Sequence, residues 1–229
     1  ALIHAATMVT AGIFMVARMS PLYELSTSAL SLVIIIGAIT ALFMGILGIF
    51  QNDIKRVVAY STISQLGYMT VALGASVYSL AAFHLATHAF FKALLFLGAG
   101  SVIIGMNHGQ DMRYMGGLRK HMPITWITTL LGALALIGTP LFSGFYSKEG
   151  IVMAVGHSEL FGSGFASFAL QAGILITAFY TFRMYFLVFH GEERFKVDPN
   201  TDGATEGILP TKPQESPFVV WFPLVALAV

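Results

Sequence analysis

Apolar residues dominate the chain in long runs separated by short polar clusters, and the runs have the length of membrane-crossing helices. A helix needs about 20 mostly apolar residues to cross a hydrocarbon core of roughly 30 Å. Runs of this kind lie near residues 1–17, 28–50, 57–74, 77–105, 123–155 and 165–190, and 217–229 reads as the first half of another. The third carries Ser61, Thr62, Ser64, Gln65 and Tyr68. That is too polar for a lone helix in lipid, so it is predicted inside a bundle where neighbouring helices supply partners. The fifth run is 33 residues, which would make about 50 Å of straight helix. Its middle reads GTPLFSGF, where Gly138, Pro140, Ser143 and Gly144 disfavour continuous helix, because proline lacks an N–H and clashes with the preceding turn. A broken helix is predicted there, with an ordinary proline kink as the alternative. Irregular backbone at membrane depth survives where protein or a water-filled cavity satisfies it, and transporters use such breaks.

The pattern predicts an all-α, polytopic transmembrane bundle of about six spans over residues 1–190. A solvated loop over 191–216, rich in Pro, Gly, Asp and Glu, and the start of a further transmembrane helix over 217–229 follow. No periodic internal repeat is evident. Alternating the spans puts Lys55, Arg56, Arg113, Arg119, Lys120, Arg194, Lys196 and Lys212 on one side and Arg18 on the other. By the positive-inside rule the crowded side faces the cytoplasm.

Composition narrows the function classes. Hydrophobic residues make up 56% of the 229 and charged residues 10%, against about 25% charged in soluble domains. With 12 Lys+Arg against 11 Asp+Glu, there is no basic field to recruit nucleic acid. Cysteine is absent, which removes disulfides, thiolate metal sites and cysteine nucleophiles. The opening ALIHAATMVT has no basic region or cleavage site and is not a signal peptide. It starts inside a helical pattern, and the closing WFPLVALAV stops inside an apolar run, so a piece of a longer polypeptide is expected. Nucleotide-binding and hydrolase motifs of the G-x-G-x-x-G, P-loop, H-E-x-x-H and G-x-S-x-G types are missing.

Candidate chemistry lies in FHLATHAFFKALLF, which spaces His84, His88 and Lys92 at i, i+4 and i+8 within one span. At 100° per residue they fall within a sector of about 80°, each about 6 Å further along the axis. Ionisable residues at this depth are costly and usually mark ion or proton pathways. Histidine passes protons near neutral pH and lysine exchanges them where arginine cannot. The plainer alternative is three side chains that hydrogen-bond neighbouring helices. A metal site is disfavoured: no third ligand lies nearby in sequence, and a lysine one turn on repels a cation.

Lys148 follows the predicted break, where water entry lets a lysine load or release protons. The alternative is a lysine snorkelling at the interface with Glu149 as a loose partner. His4 is expected near the start of the first helix, on a face shared with Met8 and Ala11 and bordered by Thr7, and alone reads as structural. Ser64, Gln65 and Tyr68 fit either a water file or helix fastening. Arg183, near a helix end, reads as snorkelling to water.

The strings ALIHAATMVTAG, DIKRVVAYSTISQLGYM, FHLATHAFFKALLFL, MGGLRKHMP and FYTFRMYFLVFHG resemble the antiporter-like membrane subunits of proton-pumping NADH:quinone oxidoreductase, respiratory complex I, of the subunit L or mitochondrial chain 5 type. The resemblance covers the chain to about Gly191. It implies the second half of a subunit built from inverted repeats, each with a broken helix, in a bacterial inner membrane beside other membrane-arm subunits. Lys92, Lys148, His84, His88 and His4 are implied as proton-relay residues. The resemblance also implies that no cofactor is bound by this chain, with NAD, FMN, iron–sulfur clusters and quinone in partner subunits. Two alternatives stay open. One is the large subunit of a multisubunit sodium/proton antiporter, against which Thr10 stands where that group tends to have lysine. The other is a structural membrane scaffold that transports nothing.

Overall fold

The structure is a computed structural model that describes residues 7–195 and 213–228. Among the described residues eight helices of eight residues or more form the bundle: α1 Ala11–Arg18, α2 Thr27–Phe50, α3 Ile54–Gly74, α4 Tyr78–Gly105, α5 Pro123–Ile137, α6 Ser143–Gly156, α7 Ser163–Phe189 and α8 Phe218–Ala228. Three of them, α2, α4 and α7, are long and apolar enough to cross a membrane by length and composition. No strand is formed among the described residues.

α3 sits at the centre, packed against α2, α4, α6 and α7. Its position follows from its sequence: Ser61, Thr62, Ser64, Gln65 and Tyr68 are all buried, and polar side chains in hydrocarbon need partners from neighbouring helices. Close approach of α2 makes this possible. α2 turns a stripe of Gly37, Ala38, Ala41, Gly45 and Gly48 inward and exposes Leu32, Ile36, Ile39, Phe43 and Ile46 on the other face. Gly67 of α3 lies in this stripe. A Cβ there would come within 2.8 Å of the Gly37 carbonyl oxygen and of Ala41 Cα.

The long fifth run is broken as expected. α5 ends at Ile137 on Gly138, which is left-handed at φ 81° and closes the helix with Gly138 N–H on Ala135 O and Thr139 N–H on Leu134 O, an arrangement that uses orphan C-terminal carbonyls. Residues 139–142 are irregular, and α6 resumes at Ser143. The two halves stay close, for a Cβ on Gly144 would run into the Ala135 carbonyl.

Six of the eight basic residues expected on one side lie at one end of the bundle, and Lys196 and Lys212 lie outside the described residues. The segments after α2, α4 and α7 meet at one end, which carries Lys55, Arg56, Arg113, Arg119, Lys120 and Arg194. There Ile54 N–H donates to Gln110 O at 3.0 Å and Met112 N–H to Asn52 O at 2.8 Å. Arg194 donates to the carbonyls of Met112, Arg113 and Leu187. Arg183 does not run out to water: its guanidinium donates to Gln51 O at 2.7 Å and Asn52 Oδ1 at 2.8 Å. The carboxylate of Glu215 caps α5, accepting from Ile124 N–H at 2.9 Å and Thr125 N–H at 3.3 Å. His190, just past α7, accepts from Trp126 Nε1–H at 3.3 Å. At the opposite end, Tyr78 donates to Glu24 at 2.9 Å. Most of the expected 191–216 loop lies outside the described residues.

The fit at Gly67 gives a direct check on this packing. Gly67→Val places branched carbon against the backbone of α2 and is expected to cost about 1–3 kcal/mol. It should lower the thermal unfolding midpoint, whereas Gly164→Ala, where a Cβ meets nothing within 4 Å, leaves it within error; equal midpoints for the two variants would refute the close α2–α3 contact.

Candidate functional site: a buried file of amines and imidazoles

The file on α4 is real in three dimensions. His84 is 1% exposed, and His88 and Lys92 are fully buried. The His84 and His88 rings lie 6.2 Å apart between centroids, and Phe91 packs edge-on to His88 at 5.4 Å. These groups lie against α3, which runs antiparallel. On α3 the residues Ser61, Gln65 and Tyr68 share a sector of about 60°, so the two polar faces meet along their length.

The pairing is residue by residue. Lys92 Nζ donates to Ser61 Oγ and, at 3.3 Å, to Val58 O. One turn on, His84 Nε2 lies 3.1 Å from Gln65 Oε1, and His84 Nδ1 lies 2.8 Å from Ser147 Oγ of α6. With Gln65 Oε1 as acceptor, Nε2 carries a proton. Nδ1 of the neutral ring then accepts from Ser147, while the protonated ring donates to both. Ser147 can serve either state, since its hydroxyl also reaches Thr87 Oγ1 at 3.1 Å and Ser143 O at 3.3 Å. Between these partnered groups, neither nitrogen of His88 has a hydrogen-bond partner, and Gln65 Nε2 has none.

Lys148 completes the arrangement. It is 3% exposed, so it does not snorkel, and Glu149 beside it in sequence faces outward. Its Nζ donates to Leu136 O at 3.5 Å and stands 5.0 Å over the ring of Tyr68. The Leu136 carbonyl is available for a chemical reason. In a continuous helix its partner would be the N–H of residue 140, and that residue is Pro140, which has none. A cation over an aromatic face is favoured, more so when shielded from water. Tyr68 itself is fixed by donating to Leu170 O at 2.6 Å. Among the described residues no carboxylate lies within ion-pair distance of Lys92 or Lys148.

Four of the residues singled out in the sequence, His84, His88, Lys92 and Lys148, therefore belong to one buried assembly. His4 lies outside the described residues. Gln65 and Tyr68 turn to the file, whereas Ser64 donates to Ala41 O at 2.7 Å and fastens α3 to α2. Sequence reading missed Ser147 and Thr87. Ser147 had a signal, since it directly precedes Lys148 at the start of a half-helix; Thr87 had only its place between the two histidines. The arrangement can move a proton stepwise between nitrogen and hydroxyl groups, provided water fills the gaps at His88.

Comparison with known proteins agrees with this architecture. The family described as "NADH:quinone oxidoreductase/Mrp antiporter, TM" matches residues 1–177. NADH-quinone oxidoreductase subunit L of Neisseria meningitidis serogroup A is 67% identical over the whole chain, which covers 35% of that protein. The subunit L of Rhodobacter capsulatus is 50% identical, with 32% of its length covered. NADH-ubiquinone oxidoreductase chain 5 of Triticum aestivum is 54% identical over 82% of the chain and 28% of its own length. The chain thus spans about a third of the length of these relatives. Among solved structures, the archaeal membrane-bound sulfane sulfur reductase matches with TM-score 0.74 and 28% identity over 88% of this chain and 31% of that one. The Mrp complex of Dietzia matches with TM-score 0.79 over 94% of this chain and 46% of that one; at 19% identity it speaks for the fold alone.

Ser147→Ala tests the His84 clamp. Leaving Nδ1 of a fully buried imidazole without its partner is expected to cost about 1–3 kcal/mol, seen as a lower unfolding midpoint. A midpoint equal to that of the unaltered protein would mean that His84 draws nothing from Ser147.

Proposed function

We propose that this chain, which belongs to the NADH:quinone oxidoreductase/Mrp antiporter transmembrane family, is a part of subunit L of a proton-pumping NADH:quinone oxidoreductase, from the second half of its antiporter-like fold, and that it carries protons through its buried file. The observation that carries this reading is the meeting of two amines and two imidazoles, all buried, along the polar faces of α3 and α4 and at the break between α5 and α6. Lys92, His88, His84 and Lys148 are the relay, and His4, outside the described residues, is a further relay residue. Residues 1–190 form the transmembrane unit, 191–216 a cytoplasmic loop and 217–229 the start of another span. The basic end faces the cytoplasm of a bacterium and the break lies in the half that opens away from it.

In this reading the chain does no redox chemistry. Flavin, iron–sulfur clusters, NAD and quinone belong to partner subunits, and the energy reaches the file through neighbouring membrane-arm subunits by conformation or charge. Each hop changes the charge of Lys92 or Lys148. With no carboxylate fixing either amine in the described residues, a change in neighbouring charge decides which form prevails. The magnitudes are compatible. Moving one charge against 100 mV costs about 2.3 kcal/mol, and a difference of about two pKa units between two states of one amine supplies about 2.7 kcal/mol.

The sodium/proton antiporter reading draws on the Mrp complex, which shares the fold. The identity of 67% to a subunit L favours the respiratory reading, as does Thr10 in the TMVTAG string. Partners separate the two, because the respiratory reading requires copurification with flavin and iron–sulfur subunits.

Lys92→Ala in the full complex, assayed in sealed vesicles with NADH as donor, is expected to lower the proton yield per NADH, and Lys148→Ala likewise. A yield equal to that of the unaltered complex would take Lys92 out of the pathway. Pumping that stops when sodium is removed would favour the antiporter reading instead.

A further inference from the structure

On the basic-end side of Lys92 a second set of polar groups is buried without partners. The Tyr180 hydroxyl, on α7, is in this state, and so are Thr181 Oγ1, Tyr185 Oη and, on α5, Thr129 Oγ1. Tyr180 and Thr181 are each 1% exposed and Tyr185 is 3% exposed. Other hydroxyls at the same depth are spent locally, Thr177 on Gly173 O at 2.6 Å and Thr128 on Ile124 O at 2.9 Å. Buried polar groups in folded proteins nearly always have partners, and where protein supplies none, ordered water does. Tyr180 is the member of this set that reaches the file. Its ring packs against Gly48 of α2, where a Cβ would come within 3.4 Å of Tyr180 Cδ1. Its hydroxyl lies beside those of Ser61 and Thr177 without hydrogen-bonding geometry to either, and Ser61 is the side-chain partner of Lys92. From Tyr180 to Tyr185 the helix rises about 7 Å towards the basic end and turns by about 140°, with Thr181 between them.

We propose that Tyr180 is the group through which Lys92 exchanges protons with water at the basic end of the bundle. This rests on the reading of Lys92 as a proton carrier and adds to it the side from which Lys92 is loaded and the residue that loads it. The step balances without any co-reactant. A water between Tyr180 and Ser61 takes the hydroxyl proton of Tyr180 and gives one of its own to Ser61 Oγ, as the Ser61 hydroxyl turns from Val58 O and gives its proton to the unprotonated Nζ of Lys92. A second water, on the basic side of Tyr180, returns a proton to the phenol oxygen and is itself reprotonated from the basic-side medium. One N–H bond forms on lysine, one proton leaves the basic-side medium, and tyrosine and serine end as they began. The three remaining hydroxyls, each without a protein partner, offer water further partners. Lys148, which stands over Tyr68 seven residues further along α3, is not part of this branch.

Tyr180→Phe in the full complex removes one oxygen and keeps the ring that packs on Gly48. The expected result in sealed vesicles is a fall in proton translocation of about fivefold, the effect of one hydrogen bond lost from the transfer step. The loss should deepen as the medium on the basic side is made alkaline and should not respond to pH on the opposite side. Such a side-specific profile is not produced by loosened packing. Unchanged translocation, or equal sensitivity to pH on both sides, would overturn the inference. If Lys92→Ala still abolishes pumping in that case, the proposed function stands and only the loading route fails. Should Tyr180→Phe not assemble, a map of the unaltered complex decides: ordered water in hydrogen-bond contact with Tyr180 Oη supports the route, and a dry hydroxyl refutes it.

Discussion

Polar groups placed in hydrocarbon must be met from inside the protein, and the pairing of α3 with α4 is where this fold meets most of them. An amine or imidazole facing lipid is costly. α4 brings three such groups, and α3 answers with Ser61 and the Val58 carbonyl at Lys92 and with Gln65 at His84. Everything around the pair serves to keep them in register. α2 gives up side-chain volume so that α3 can come close, its Gly37 and Ala41 opposing Gly67 while Gly74 fits against Ile34 and the Leu30 carbonyl, and close backbone approach is the usual basis of helix association in lipid. α7 closes the remaining side by accepting from Tyr68 at Leu170 O. If α3 were as apolar as α2, the bundle would pack more simply and the file would lose its partners.

The break between α5 and α6 obeys the same constraint in reverse. There the backbone itself becomes the polar group that needs an answer. Pro140 cannot supply the N–H that would satisfy Leu136 O, and Lys148 reaches back to take the place of that donor. Pro140 thus accompanies both the interruption and a free acceptor for the amine. The same turn sets Ser147 against His84, so the break joins Lys148 to the file through its neighbour in sequence rather than through direct contact.

Much of this was legible in the residues. The helices, the break at GTPLFSGF and the burial of the third run followed from length, proline and polarity, because those are local properties. The alignment of His84, His88 and Lys92 followed from helical spacing. What stayed hidden was contact between elements. Nothing in YSTISQLGYM says that Gln65 turns to α4 while Ser64 turns to α2, since one residue of helix rotates the side chain by about 100° and the choice depends on which neighbour sits on which side. Tyr180 was hidden more deeply. In FYTFRMYF a tyrosine is indistinguishable from the surrounding aromatic packing until its hydroxyl is found buried and unpartnered. Arg183 was misjudged for a related reason: its distance from the helix end suggested water, but the loop after α2 folds over that end and takes both arms of the guanidinium.

The scaffold alternative can be weighed on how the polar groups are used. A side chain that fastens helices spends its donors and acceptors on protein, as Ser64 does on Ala41 O, Tyr68 on Leu170 O and the Ser101, Thr125 and Ser216 hydroxyls on one another. These are ties, and of them only Tyr68 also faces the file, with its ring under Lys148. His88 makes no such tie with either nitrogen although it is fully buried, and Gln65 holds one half of its amide in reserve. Burying an imidazole with both nitrogens idle is a net cost, so His88 contributes nothing as a fastener and would serve a scaffold better as a leucine. A residue that is costly to bury and holds nothing together needs another reason to be there. Its position between Lys92 and His84, each already anchored on its far side, is the position from which a proton can be taken from one and delivered to the other.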